Sequence, residues 1–291
     1  MTVPGSRYAV VTPARDESAH IERTIDAMAS QSLAPVAWIV VDDGSSDGTG
    51  AIVARRAAAL PWLRLVVRGD RGRRANGGGV VEAFETGYAQ LAADWDFLVK
   101  LDADLSFDPD YFARCLQHFE RDPVLGIGGG LVCREEQGQV IVDSVGDPPF
   151  HVRGATKIYR RACWERIAPL LRAPGWDTID EVKANLHGWT TRTFDDLRVL
   201  QLKPTGSVDG AWRNAMKNGR ANYIAGYHPL FMLAKCARRL MHPPFGAQAV
   251  ALLAGYCSGY AQDLPRVESE VIHYLRDQQL RRLLMRPSIY G

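Results

Sequence analysis

Three acidic clusters carry the side chains best suited to chemistry. Asp16 and Glu17 end the run Pro13-Ala14-Arg15-Asp16-Glu17. Asp42, Asp43 and Asp47 fall within Val41–Thr49 (VDDGSSDGT), and Asp102 and Asp104 within Leu101–Asp104 (LDAD). Carboxylates two residues apart on an extended segment can both turn toward one hard cation, which takes oxygen ligands and commonly bridges to a diphosphate. A lone DxD carries little weight, and Asp108-Pro109-Asp110 reads as an ordinary helix-start turn. DDGSSDGT by itself is equally a strand-to-helix turn with Asp47 at the N-cap. Weight comes from placement, because each cluster follows an apolar run.

Those runs are the positioning elements. Tyr8–Thr12, Ala37–Val41, Leu63–Val67 and Phe97–Leu101 are short and rich in β-branched residues. Helical spacing separates them: Ile21, Ile25 and Met28 within His20–Gln31, a segment from Asp47 to about Leu60, and Val80 to about Ala92. Continuous apolar strands alternating with helices predict an α/β fold with a mostly parallel central sheet covered on both faces. Right-handed crossovers then bring the strand ends, and the acidic clusters with them, to one edge. Beyond Gly126 the pattern predicts short strands at Ile127–Val132 and Gln139–Val142, helices from Arg161 and at Ile179–His187, and a helical tail.

Composition sets bounds. The chain has 291 residues, 46% hydrophobic and 23% charged, which excludes a disordered or collagen-like polypeptide. Net charge is +2 overall, yet from Arg213 onward 11 Lys and Arg face 4 Asp and Glu, a net +7, against −5 for the rest. A basic tail on an acidic body suits an anionic partner, phosphates or a membrane surface. It shows no recognisable nucleic-acid module. Five widely spaced cysteines without a CxxC pair, and an N-terminus without a signal-peptide run, predict a reduced, cytoplasmic protein. Phe245–Ala261 is apolar but short for a spanning helix and holds several glycines, so it reads as a buried or interfacial helix.

TPARDE, WIVVDDGSSDGT and VKLDADLSFDPDYF together resemble the nucleotide-binding half of the family-2 glycosyltransferases, from about Tyr8 to Tyr111 and more loosely to Leu202. The resemblance implies a GT-A fold with a Rossmann-like nucleotide-binding half (about 1–110), an acceptor half (about 111–202) and a helical, basic C-terminal extension (203–291). It implies that Pro13, Arg15 and Glu17 line the nucleoside pocket and that Asp43 accepts from the base. Asp102 would sit near the ribose and metal, and Asp104 would bind the Mn²⁺ or Mg²⁺ ion that neutralises the leaving diphosphate. Asp16 stands where the family usually has Asn. In Arg71–Gly79 (RGRRANGGG), Arg73 or Arg74 could reach base or phosphate while Gly77–Gly79 admit close backbone approach. A solvated turn is the competing reading.

Asp177-Thr178-Ile179-Asp180-Glu181 resembles the family's acidic pair ahead of a helix and a Gly-aromatic turn, here Gly188-Trp189. An inverting transfer needs a carboxylate to take the acceptor's proton. Asp180 is the expected base, with Glu181 second; an acidic first turn stabilised by the helix dipole is the plain alternative. His151, Arg153, Gly154 and Thr156 fall at the family's acceptor-side loop. Arg213, Lys217 and Arg220 would share one helix face, for a diphosphate, a lipid phosphate or water. Gln278–Leu283 (QQLRRL) has the Gln and Arg of the QxxRW motif of processive polysaccharide synthases without its Trp. The expectation is therefore a metal-dependent, inverting glycosyltransferase. It would use a nucleotide-sugar, UDP-sugar first, on a lipid-linked or small-molecule hydroxyl acceptor, with peripheral contact to anionic membrane and no nucleic acid. A nucleotidyltransferase would show a Gly-rich first loop where PARDE stands, and a non-catalytic sugar-nucleotide binder or scaffold is the other alternative.

Overall fold

The computed structural model describes residues 6–69, 78–92, 94–143, 146–203, 210–240 and 246–291. Arg73, Arg74 and Gly77 lie outside the described residues. The first half alternates as its periodicity requires: β1 (Tyr8–Ala14), α1 (Ile21–Ala29), β2 (Ala37–Asp42), α2 (Thr49–Ala57), β3 (Leu63–Val67), α3 (Gly78–Tyr88) and β4 (Phe97–Leu101). The parallel pairings β3·β2, β2·β1 and β1·β4 put the C-terminal ends of β1, β2 and β4 side by side.

Period-two alternation along these strands divides the core. Tyr8 and Val10 with Trp38, Val40, Phe97 and Val99 pack against Ile21, Ile25 and Met28 of α1 and Val53 of α2. Ala9 and Val11 with Ile39, Val41 and Leu98 pack on the other face against Val81 and Phe84 of α3 and Trp164.

Beyond β4 the sheet becomes mixed. β5 (Leu105–Phe107), α4 (Tyr111–Arg121), β6 (Leu125–Glu136), β7 (Gln139–Val142), β8 (Thr156–Arg160), α5 (Arg161–Ile167), α6 (Trp176–Leu186) and β9 (Thr190–Gln201) follow. The strand order is β3-β2-β1-β4-β8-β6-β9-β5, with β7 on β6. β8 runs antiparallel to both β4 and β6, while β6 and β9 are parallel. Parallel order thus holds for the first four strands, and the antiparallel β8 turns the chain back so that the loop before it faces the end of β4. A Cβ on Gly129 would stand 2.3 Å from the Thr156 carbonyl oxygen, so β6 approaches β8 this closely only because that residue is glycine.

Four helices close the chain: α7 (Gly210–Ile224), α8 (Pro229–Leu240), α9 (Ala247–Ala261) and α10 (Ser269–Leu283). The apolar stretch expected to be buried or interfacial is α9, with Ala251, Leu252, Gly255 and Gly259 buried. Its glycines have a packing reason. A Cβ on Gly255 would sit 2.1 Å from the Met216 carbonyl oxygen, and one on Gly219 of α7 would sit 2.1 Å from that of Leu252. These helices share a third core with Phe150, Ile179 and Val182. No helix among the described residues is long and apolar enough to cross a membrane, and all five cysteines are free thiols.

Candidate active site

β1 ends at Ala14, and the chain turns sharply through Asp16, whose φ of 54° is a left-handed conformation that Asp and Asn tolerate best. That turn is locked onto the end of β2. The Asp16 amide donates to Ser45 Oγ at 3.0 Å, the Ser46 amide donates to Asp16 Oδ1 at 2.9 Å, and the Glu17 amide donates to Thr49 Oγ1 at 2.9 Å. Asp47 caps α2 from one residue outside the N-cap, Gly48, accepting from the Thr49 amide at 3.0 Å. Arg15 donates to the Asp43 carbonyl at 3.0 Å, and the Asp43 carboxylate is held by Arg68 at 2.8 Å. Pro13, Arg15 and Asp43 therefore stand together at the adjoining ends of β1 and β2.

Glu17, Asp102 and Asp104 form a second group at the ends of β1 and β4. Asp104 is buried, and its carboxyl is pushed up to about 7, first by burial and then by the charges of Asp102 and Glu17. A hydrogen bond from Gln201 at 3.3 Å offsets this only in part. Glu17 Oε1 meets Lys203 Nζ at 2.9 Å, while its buried Oε2 has no hydrogen-bond partner. Asp102 is met by Lys100, which also donates to the Gly154 carbonyl at 2.5 Å. Gln201 and Lys203 come from the far end of β9.

The donor set fits a hard divalent cation, because all the side-chain oxygens are carboxylate and one buried carboxyl is left uncompensated. Among the described residues no three His, Cys, Asp or Glu side chains form a ready-made metal cage.

The acceptor side is arranged differently from its sequence reading. α6 starts at Trp176 rather than Ile179, because Gly175 at φ 88° starts the helix three residues earlier. Asp177 then occupies the first turn, and Asp180 and Glu181 move to the second, against the sheet. Both are buried, at 2% and 0% exposure. Asp180 accepts from Lys157 Nζ at 2.7 and 3.0 Å, from the Tyr159 hydroxyl at 2.6 Å and from the Glu181 amide at 2.7 Å. Glu181 accepts from the Val152 amide at 2.7 Å, faces His151 Nδ1 at 2.9 Å and pairs with Lys157 at 2.8 Å. For His151, burial alone would lower the imidazole, but the Glu181 charge and hydrogen bond outweigh it and raise it to about 9.

A base for an acceptor hydroxyl needs an open oxygen, and the oxygens of Asp180 and Glu181 are occupied. Asp177 is half-buried, and its carboxylate accepts no hydrogen bond from a described residue. It abuts Gly154, where a Cβ would lie 3.2 Å from Asp177 Oδ2. Gly154 is also the residue that holds Lys100 beside Asp102. Of the other acceptor-side residues, Arg153 pairs with Asp143 at 2.8 Å, and the Thr156 hydroxyl meets that of Tyr111 at 3.1 Å. Gln279 is a buried staple, accepting from the His228 amide at 2.8 Å and donating to Tyr290 at 3.2 Å.

The sequence reading passed over Lys100 and Lys157. Their signal was a lysine inside an otherwise apolar buried strand, FLVKL and TKIYR, which requires a carboxylate partner nearby.

Comparison with known proteins agrees with this architecture. The family model "Glycosyl transferase family 2" matches residues 9–160, a little over half of the chain. Succinoglycan biosynthesis protein ExoA of Rhizobium meliloti is 31% identical over 110 residues, 37% of this chain and 31% of that protein. Polyprenol monophosphomannose synthase of Mycolicibacterium smegmatis is 30% identical over 129 residues, 44% of this chain and 47% of that protein. The aligned region thus spans less than half the length of either relative. In structure, the mannosyltransferase PcManGT from Pyrobaculum calidifontis, in complex with GDP-Man and Mn²⁺, superimposes with a TM-score of 0.57 at 18% identity. That match covers 97% of this chain and 83% of that one. S. aureus TarS 1-349 in complex with UDP gives 0.51 at 16% identity, over 96% and 86%. With that family model matched over more than half of its length, and with a GT-A fold, the chain belongs to glycosyltransferase family 2.

Proposed function

We propose that the protein transfers a sugar with inversion from a nucleotide-sugar, UDP-sugar first, to the hydroxyl of a lipid-linked or small-molecule acceptor. The observation that carries this reading is the uncompensated carboxylate group Glu17, Asp102 and Asp104 at the ends of β1 and β4. When bound there, Mn²⁺ or Mg²⁺ supplies positive charge to the leaving diphosphate.

The chain's own residues do the rest. Pro13, Arg15 and Glu17 line the nucleoside pocket, and Asp43, oriented by Arg68, accepts an N–H of the base. Asp104 and Asp102 hold the cation. Lys203 sets a second positive charge beside Glu17, on the side where the diphosphate leaves. Asp177, opposite them across Gly154, takes the proton of the attacking hydroxyl. Asp180 and Glu181 act through structure, pinning α6 and the 151–157 loop by way of Lys157 and His151.

A second reading is favoured by the GDP-Man complex of the Pyrobaculum enzyme and by the polyprenol relative. It has GDP-mannose as donor and a lipid phosphate as acceptor. A phosphate oxygen is already ionised at neutral pH and needs no base, so the two readings differ at Asp177.

A thermal-shift screen of UDP-sugars and GDP-mannose, with and without Mn²⁺, tests the reading. Ligand binding to the folded state raises Tm. One donor should do so only with Mn²⁺, and no donor should do so in Asp104→Ala. If no nucleotide-sugar shifts the wild type, the reading fails.

A further inference from the structure

The most one-sided surface of the molecule is on α8. Leu230, Leu233 and Leu240 are 58%, 52% and 51% exposed, and Ala234 and Ala237 between them are exposed as well. At 100° per residue these five lie within one face, while Met232 and Cys236 on the opposite face are buried in the third core. A helix that already buries one apolar stripe has no folding reason to carry a second one outward.

Arg238 stands exposed at the edge of that face and makes no ion pair with a described residue, while Lys235 and Arg239 are part-buried on the opposite side of the helix. Lys235 lies 5.0 Å from the centroid of the Tyr227 ring. Burial, followed by the neighbouring charge of Arg239, lowers its ammonium to about 8. From Gly210 to Gln262 the sequence contains six Lys and Arg and not one Asp or Glu. Elsewhere acidic residues are interspersed, and Arg55 pairs with Glu22 and Arg114 with Asp196.

We infer that α8 is a docking helix that lies in the surface of an anionic bilayer. Leu230, Leu233 and Leu240 would enter the acyl boundary, with Arg238 at the level of the lipid phosphates. Amphipathic helices bind in this way, through buried apolar area together with attraction to anionic lipid. A second copy of the chain is disfavoured as occupant, because it would bring a second acid-free segment with six cations against the first. Single-stranded nucleic acid stacks on aromatic rings, and the outward face of α8 presents only leucine and alanine. The inference stands independently of the donor and acceptor, since it uses no residue of the carboxylate clusters.

Co-sedimentation of the full chain with phosphatidylcholine vesicles, and with vesicles containing 30% phosphatidylglycerol as probe, tests it. The protein should sediment with the anionic vesicles at low salt and release largely at high salt. Each cation near an anionic surface is worth about 1 kcal/mol, so Arg238→Gln should weaken binding about fivefold. Leu230→Asn with Leu233→Asn should weaken it about tenfold with Tm little changed, because these side chains are more than half exposed. Val67→Ser, on an equally exposed residue of β3, should bind like the wild type. Absence of sedimentation with anionic vesicles at low salt, or equal sedimentation of all variants, overturns the proposal. So does dimerisation without lipid that the leucine pair abolishes. Since no donor is present in the assay, failure here leaves the glycosyltransferase reading intact, and failure of the donor screen leaves this one intact.

Discussion

Two groups of carboxylates lie near Trp176, and they differ in how completely they are compensated. Asp180 and Glu181 are surrounded by Lys157, Tyr159, His151 and backbone amides until no oxygen is left open. Glu17, Asp102 and Asp104 share two lysines at their edge, leave one oxygen unpartnered and hold Asp104 at about 7. The Trp176 ring is near the lysines of both groups, 5.5 Å from Lys100 Nζ and 5.6 Å from Lys157 Nζ. Burial with full compensation builds a frame. Burial with a deficit of positive charge builds a place for a cation. The acidic pair that looks catalytic in the sequence has its oxygens occupied, which is why the proposed base is Asp177, three residues earlier, whose carboxylate is left open.

The sharpest break of this comparison exchanges the roles. Asp177→Asn should lower kcat by about 10²–10⁴ with a hydroxyl acceptor while leaving donor affinity unchanged, the range for a lost general base. Full turnover in Asp177→Asn removes it as base, and turnover lost only in Asp180→Asn would return the role to the buried pair. Lys157→Met tests the frame. It strands two buried carboxylates and should cost about 3–5 kcal/mol in urea unfolding. Adding Asp180→Asn and Glu181→Gln to it should recover most of that loss, since an apolar and neutral site no longer lacks a counter-charge.

Much of this was legible before any coordinates, and what was not has identifiable causes. The strands of the nucleotide half were readable because each is a continuous apolar run between turn residues. The acidic clusters had to fall on one edge once crossovers are right-handed. The mixed part of the sheet was not readable. β8 is buried along nearly its whole length although it carries Lys157, β9 alternates only with interruptions, and the antiparallel β8·β4 pairing joins Leu101 to Thr156, 55 residues apart. Lys203 and Gln201 reach Glu17 and Asp104 from nearly the other end of the domain, through pairings that no local pattern announces. The proposed base moves from Asp180 to Asp177 for a smaller reason. One left-handed glycine, Gly175, starts α6 a turn early and rotates Asp180 and Glu181 inward.

The uncompensated cluster should also reveal itself by pH. Asp104 in the folded protein titrates at about 7, well above an unfolded aspartate. A carboxyl raised on folding gives stability that is complete below the unfolded pKa and is lost as pH rises through the folded value. Without cation, stability should therefore fall between about pH 4 and 7. Mn²⁺ competes with the same proton, so its affinity should rise about tenfold per unit below pH 7 and level off above about pH 8. Calorimetric titration across pH 5.5–8.5 measures this, and Asp104→Asn should flatten the curve. A pH-independent Mn²⁺ affinity in the wild type would remove Asp104 from the cation site.

The compensated cluster carries a smaller signature of its own, through His151. Glu181 raises this imidazole to about 9, so the folded state keeps a proton that the unfolded chain releases near 6.5. Its contribution is complete below pH 6.5 and is lost as pH rises through 9. Lys157 shares the same carboxylate and repels the imidazolium, so we expect only about 1–2 kcal/mol across that window rather than the full value of the shift. Urea midpoints at pH 6, 8 and 10 should show wild type and His151→Gln converging as pH rises, with turnover at pH 7 changed far less than by Asp177→Asn. If the two proteins differ equally at all three pH values, the His151–Glu181 contact is a neutral hydrogen bond. Lys157 alone then balances the pair, and the frame is held by one buried cation instead of two.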